Sequence, residues 1–125
     1  MIPRYFTVQE ANELLPTIEP LLAELLDRRA RVVRSRDKIE AIVEDLHSNV
    51  GGAVASEMAR EFIIIEQLVE KIQGHGCFVK DMNAGLVDFL AKIDGRDVYL
   101  CWRYGEPRVA HYHELQAGYN GRQPV

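Results

Sequence analysis

The chain has 125 residues, 47% of them hydrophobic, and a formal charge of −4 with 15 Lys and Arg against 19 Asp and Glu. This is one domain's worth of chain, 1–125, with enough apolar residues for a core, and its acidic balance argues against a nucleic-acid binder, whose domain is ordinarily basic on one face. No run reaches the roughly 18 apolar residues of a spanning helix, and MIPRYFTVQE lacks a basic-then-apolar leader pattern, so a cytoplasmic protein without a membrane partner is expected. In that reducing compartment Cys77 and Cys101 are expected as free, buried thiols.

Thr7-Val8-Gln9-Glu10 is a capping-box pattern and starts a helix. Pro16 lacks the N–H that a helix interior needs, so a short first helix is predicted to end or kink there, with Pro20 in the first turn of a longer one. Apolar residues then recur on one side, with Ile18, Leu25, Val32, Ile39 and Leu46 in steps of seven. The segment His47 to Gly52 breaks that stripe. A second stripe at Val54, Met58, Phe62, Ile65, Leu68, Val69 and Ile72 runs to Gly74-His75-Gly76. Two long helices within 7–74 are therefore expected to form an antiparallel hairpin.

After Gly76 the apolar period becomes two, with strands expected at 77–80, 86–93, 98–103 and 109–115. Asp94-Gly95 is a type I′ hairpin signal, since that turn needs positive φ at both central residues. The expected fold class is α+β: a short N-terminal helix, a long helical hairpin, a three- to four-stranded antiparallel β-meander over 76–115, and an irregular tail over 116–125.

A two-residue turn at Asp94-Gly95 pairs Ala91 with Val98, Phe89 with Leu100 and Val87 with Trp102 on one face, which is the expected core face. The other face carries Lys92 with Asp97, Leu90 with Tyr99, Asp88 with Cys101 and Leu86 with Arg103. Asp88 and Arg103 stand one diagonal step apart there, within reach of a charge-assisted contact. The next turn leaves two registers open. Four residues, Tyr104 to Pro107, send His111 and His113 to the core face, whereas one extra residue sends both beside Asp88 and Cys101.

His111-x-His113 places two imidazoles on one side of a strand, where they could share a metal, with His75 or Cys101 as a third ligand. Hydrogen-bonded structural histidines are the simpler reading. No cofactor is expected, and a divalent metal at His111 and His113 is the minor alternative. Cys101 with His111 has the composition of a nucleophile pair, against which stands its place in a strand of bulky residues. Arg28 to Lys38 carries six positive charges and one negative. It is expected to be neutralised by acidic residues of the second helix, among them Glu57, Glu61, Glu66 and Glu70.

Taken as a set, Tyr5 to Pro16, Val79-Lys80-Asp81, Gly85 to Phe89, Asp94-Gly95-Arg96, Val98 to Arg103 with Gly105-Glu106-Pro107, His113-Glu114, Gly118 and Gly121 to Pro124 resemble the uncharacterised bacterial family known as domain of unknown function 2203. The chain departs from that pattern at Leu90, where a proline is usual, and at Tyr112, where a tryptophan is. The resemblance implies no reaction or cofactor, but it places the motif residues Asp81, Asp88, Arg103, Glu106, His113 and Arg122 in the sheet and tail.

The leading functional expectation is a binding or assembly module that forms a homodimer through its helical hairpin and binds a small polar or anionic ligand at Asp88, Arg103, His113 and Arg122. The alternative is a small hydrolase or lyase, metal-dependent in one version, using His111 and His113 with Asp88 and Glu114. In a third arrangement the same groups only staple the tail: Asp88 pairs Arg103, Glu106 or Glu114 pairs Arg122, and His113 caps a carbonyl.

Overall fold

A computed structural model describes residues 4–44 and 50–125, with backbone alone for residues 38–44, 50, 51 and 54. The order is α1 (Val8–Glu44), α2 (Val50–Gln73), β1 (Phe78–Asp81), β2 (Leu86–Ile93), β3 (Arg96–Arg103), β4 (His111–Glu114), a 3-10 turn (Tyr119–Gly121) and β5 (Gln123–Pro124). The five strands form one antiparallel sheet in chain order. The class is α+β.

The capping box closes α1 as its residue types require. Glu10 N–H donates to Thr7 Oγ1 and Thr7 N–H to Glu10 Oε1, both at 3.0 Å. The expected break at Pro16 does not occur, and α1 is one helix through Pro16 and Pro20. The two prolines stand four residues apart and both are exposed, so their rings stay clear of the buried stripe of Ala11, Leu15, Ile18 and Leu22, and each removes one N–H partner, from the carbonyls of Asn12 and Pro16. No separate N-terminal helix exists among the described residues. Gly51 and Gly52, expected in the connection, lie inside α2; the residues 45–49 that would close a hairpin, and Leu46 of the seven-step stripe, are outside the described residues.

Ile18, Leu22 and Leu25 of α1 and Ile72 of α2 are fully buried against the core face of the sheet, where Val87, Phe89, Ala91, Val98, Leu100 and Trp102 are all 0–3% exposed. At about 1.5–3 kcal/mol for each large apolar side chain taken out of water, this shared layer is the main attraction holding helices to sheet. The helices are also joined by an ion pair, Arg28 to Glu61 at 2.9 Å, which neutralises the first charge of the basic run as expected. Arg31 pairs instead with Asp27 on its own helix.

Asp94 and Gly95 have φ of 51° and 79°, and all eight β2–β3 pairs stand in the register read from that turn. The β3–β4 turn takes the longer option: Cys101 opposes His111 and Tyr99 opposes His113. The extra length is spent wrapping Trp102. Its indole N–H donates to the Glu106 carbonyl at 3.0 Å, and Glu106 Oε1 accepts the Arg103 N–H. Val109 then turns into the core, its N–H held at 2.7 Å by Asn12 Oδ1 of α1. The tail, expected to be irregular, is ordered into the 3-10 turn and β5, with Val125 N–H bonded to the Ala110 carbonyl.

Candidate functional site on the outer face of the sheet

Four strands contribute one row of side chains to the face turned away from the helices: Phe78, Asp88, Cys101 and His111 stand directly opposite one another in turn. Such a face would ordinarily be solvated, yet Asp88 is 3% and Cys101 1% exposed. Part of that cover comes from His113, which reaches over β3 so that its Nε2 lies 2.9 Å from Asp88 Oδ2. A cleft of about 380 Å³ opens above the pair, lined by Lys80, Asp88, Tyr99, Cys101, His113 and Tyr119 among others.

The proton inventory follows from chemistry. His113 Nδ1 is 2.8 Å from the Glu114 carbonyl, which can only accept, so Nδ1 carries a proton. Nε2 and Asp88 Oδ2 are then two acceptors in contact unless one more proton lies between them. The pair shares it, as imidazolium with carboxylate or as imidazole with carboxylic acid. Burial raises the Asp88 pKa, opposed by His113, by the Cys101 thiol and by the charge of Lys80. Asp88 Oδ1 has no hydrogen-bond partner, and the nearby thiol offers only a weak donor. Cys101 itself is pushed up to about 12, by burial first and by Asp88 second, against the lowering effect of Arg122. A thiol so held is a poor free nucleophile.

The expected site residues are brought together in part. Asp88 and His113 converge, but the contact expected between Asp88 and Arg103 is absent: the longer β3–β4 turn gives Asp88 to His113 instead. Arg103 lies exposed at the end of β3, with its guanidinium 5.6 Å from the Tyr119 ring centre and 3.3 Å from its hydroxyl. Arg122 does close over this end of the sheet, stacking on Tyr119 at 4.4 Å, but both arms of its fork are taken by Glu106 at 2.8 and 2.9 Å. That leaves it a strap between tail and turn, lying beside Cys101.

Of the four groups of the hydrolase alternative, Asp88 and His113 meet, whereas His111 and Glu114 stand apart from them. His111 is directed to Glu106 at 3.8 Å and does not line the cleft, while Glu114 is held by Arg96 at 2.8 Å. His75 is at the far end of α2, where its carbonyl accepts from Arg4. Asp81 caps its own turn, accepting the N–H groups of Asn83 and Ala84. Among the described residues, the group that brings three metal-ligating atoms within 4.8 Å of one another is Asp88, Cys101 and His113. Lys80 and Tyr119 were not anticipated as cleft residues. Alternation in β1 places Lys80 on the face of Phe78 and was a usable signal, whereas nothing local announces Tyr119.

Residues 4–125 match the family model described as an uncharacterized conserved protein, DUF2203, and the chain belongs to that family. No curated protein and no solved structure matches the chain. No helix among the described residues is long and apolar enough to cross a membrane.

Proposed function

We propose that the chain is a small cytoplasmic binding module whose ligand enters the cleft on the outer face of the sheet. One observation carries the reading: Asp88 is buried with an unpartnered carboxylate oxygen on the floor of an open cleft. A buried acceptor left without a donor costs about 1–3 kcal/mol, and native proteins tolerate few of them. A ligand that brings a donor or a positive charge to Oδ1 recovers that cost. The same geometry turns the ligand away from the anionic class expected from Arg103 and Arg122, since Arg122 is neutralised by Glu106 and Arg103 faces Tyr119. The test is nitrogen–proton NMR of the labelled chain with a fragment set of primary amines, amides and polyols. Shifts confined to Asp88, Tyr99, Cys101, His113 and Tyr119 support the reading, and a set that leaves those resonances unmoved while shifting others refutes it.

Self-association through the helices is the second part of the proposal. Val33, Phe62, Ile63 and Met82 are 39–55% exposed on the helices and the neighbouring β1–β2 turn, and Arg29 and Glu66 border the same surface. Large apolar side chains grouped in this way mark an interaction surface more often than a solvated one. A second copy would bury them and bring opposite charges to the rim.

A further inference from the structure

We propose that Asp88, Cys101 and His113 form a binding site for a divalent transition metal of the zinc type, which names the ligand class of the cleft and rests on the reading that the cleft binds a ligand. Three kinds of observation converge. The three ligand atoms lie within 4.8 Å of one another, all on buried residues at the cleft floor, and Asp88 Oδ1 has no hydrogen-bond partner, with only the weakly donating Cys101 thiol beside the carboxylate. His113 already donates Nδ1–H to the Glu114 carbonyl. That second hydrogen bond is what fixes the tautomer of a metal-binding imidazole and leaves Nε2 as the ligating atom.

Charge balance supports the same assignment. Without metal the cluster holds one shared proton on Asp88 and His113 and one on the Cys101 sulfur, and its net charge is zero. A divalent cation bound by carboxylate, thiolate and neutral imidazole also sums to zero. Two protons leave to solvent as one M²⁺ enters, so occupation adds no net charge to a buried site. The adjacent Arg122–Glu106 pair is itself neutral. Sulfur and imidazole nitrogen select a borderline or soft ion over magnesium or calcium, and three protein ligands leave the fourth tetrahedral position towards the cleft. Tetrahedral bonds of about 2.0–2.3 Å separate ligand atoms by about 3.3–3.8 Å, inside the 4.8 Å within which the three groups already lie, and His113 Nε2 and Asp88 Oδ2, once the proton between them has left, part from their 2.9 Å contact. Side-chain rotation supplies that.

The experiment is titration of the full chain, first stripped with chelator, with cobalt(II) chloride as a spectroscopic probe. One equivalent should bind, with visible ligand-field bands of four-coordinate strength and a thiolate-to-cobalt charge-transfer band in the near ultraviolet. Two protons should be released per ion, so affinity should fall about 100-fold for each unit of pH lowered. Cys101→Ser should abolish the near-ultraviolet band and Cys77→Ser should keep it, with circular dichroism confirming that both are folded. Absence of stoichiometric binding, or a thiolate band that survives Cys101→Ser, overturns the metal site. Fragment-induced shifts at the cleft without cobalt binding would remove the metal and keep the cleft, whereas failure of both probes removes both readings.

Discussion

His113 and Asp88 meet at 2.9 Å across β3, from strands that do not pair with each other. That contact depends on the length of the β3–β4 turn. One residue fewer would rotate both histidines of β4 to the helix side and leave Asp88 without its partner.

The turn is organised by Trp102, fully buried and bonded through its indole N–H to Glu106. Trp102→Ala should destabilise the fold by about 3–5 kcal/mol, a cavity cost typical of a lost aromatic. Trp102→Phe, which keeps most of the volume and removes the N–H, should cost about 1 kcal/mol more than a volume change alone. Urea unfolding curves of the two variants check this, and wild-type stability in Trp102→Ala would contradict the assignment of the faces.

Glu106 is held below the usual carboxylate range, by its hydrogen bonds from Arg122 first and the Arg103 N–H after burial is offset. A depressed folded pKa contributes stability that is present above the unfolded value and is lost as pH falls through the lower folded value. The wild type should therefore exceed Glu106→Gln in stability at neutral pH, and the difference should shrink as pH drops below the ordinary glutamate value. Parallel melting-temperature profiles of the two proteins across the acid range would refute this contribution.

Burial pushes Cys77 up to about 11 and Cys101 up to about 12. Thiolate is the reactive form, so neither residue should be alkylated by iodoacetamide near neutral pH in the native protein, and both should react once it is unfolded. Mass spectrometry of timed aliquots measures it. Rapid native labelling of Cys101 would mean that the thiol is activated rather than suppressed.

The helix surface predicts a dimer by light scattering at micromolar concentration. Phe62→Lys, at a position 55% exposed, should yield monomers while leaving the fold intact. A wild-type monomer would remove the assembly part of the proposal.

Much of the frame was legible because it rests on local chemistry. Thr7 with Glu10 and Asp94 with Gly95 satisfy their backbone groups within a few residues, and parity from the hairpin then places Asp88 and Cys101 on one face. The points misread or left open are those where distant groups intervene. Pro16 is tolerated because of which side of α1 meets water, and that depends on where the sheet packs. The β3–β4 register depends on Asn12, far earlier in the chain, holding Val109, and on the side chain of Glu106 folding back on Arg103. For Arg122 the sequence offers Glu106 or Glu114 as a partner, and only the completed turn decides between them, giving its fork to Glu106 while Glu114 goes to Arg96. Arg103 lost Asp88 for the same reason.

If Asp88 is kept at the cleft floor for binding and not for the fold, as proposed, Asp88→Asn should reveal it. Asparagine can still donate to His113 Nε2 while removing a buried charge whose pKa is raised by desolvation. A raised folded pKa means stability present below the unfolded carboxylate value and lost as pH rises through the folded value, so at neutral pH the wild type carries a desolvation cost that the variant lacks. Chemical denaturation of both proteins at neutral pH, without added metal, should find Asp88→Asn at least as stable as wild type. A loss of more than about 1.5 kcal/mol would make the Asp88–His113 pair a support of the sheet itself and remove the binding role proposed for Asp88.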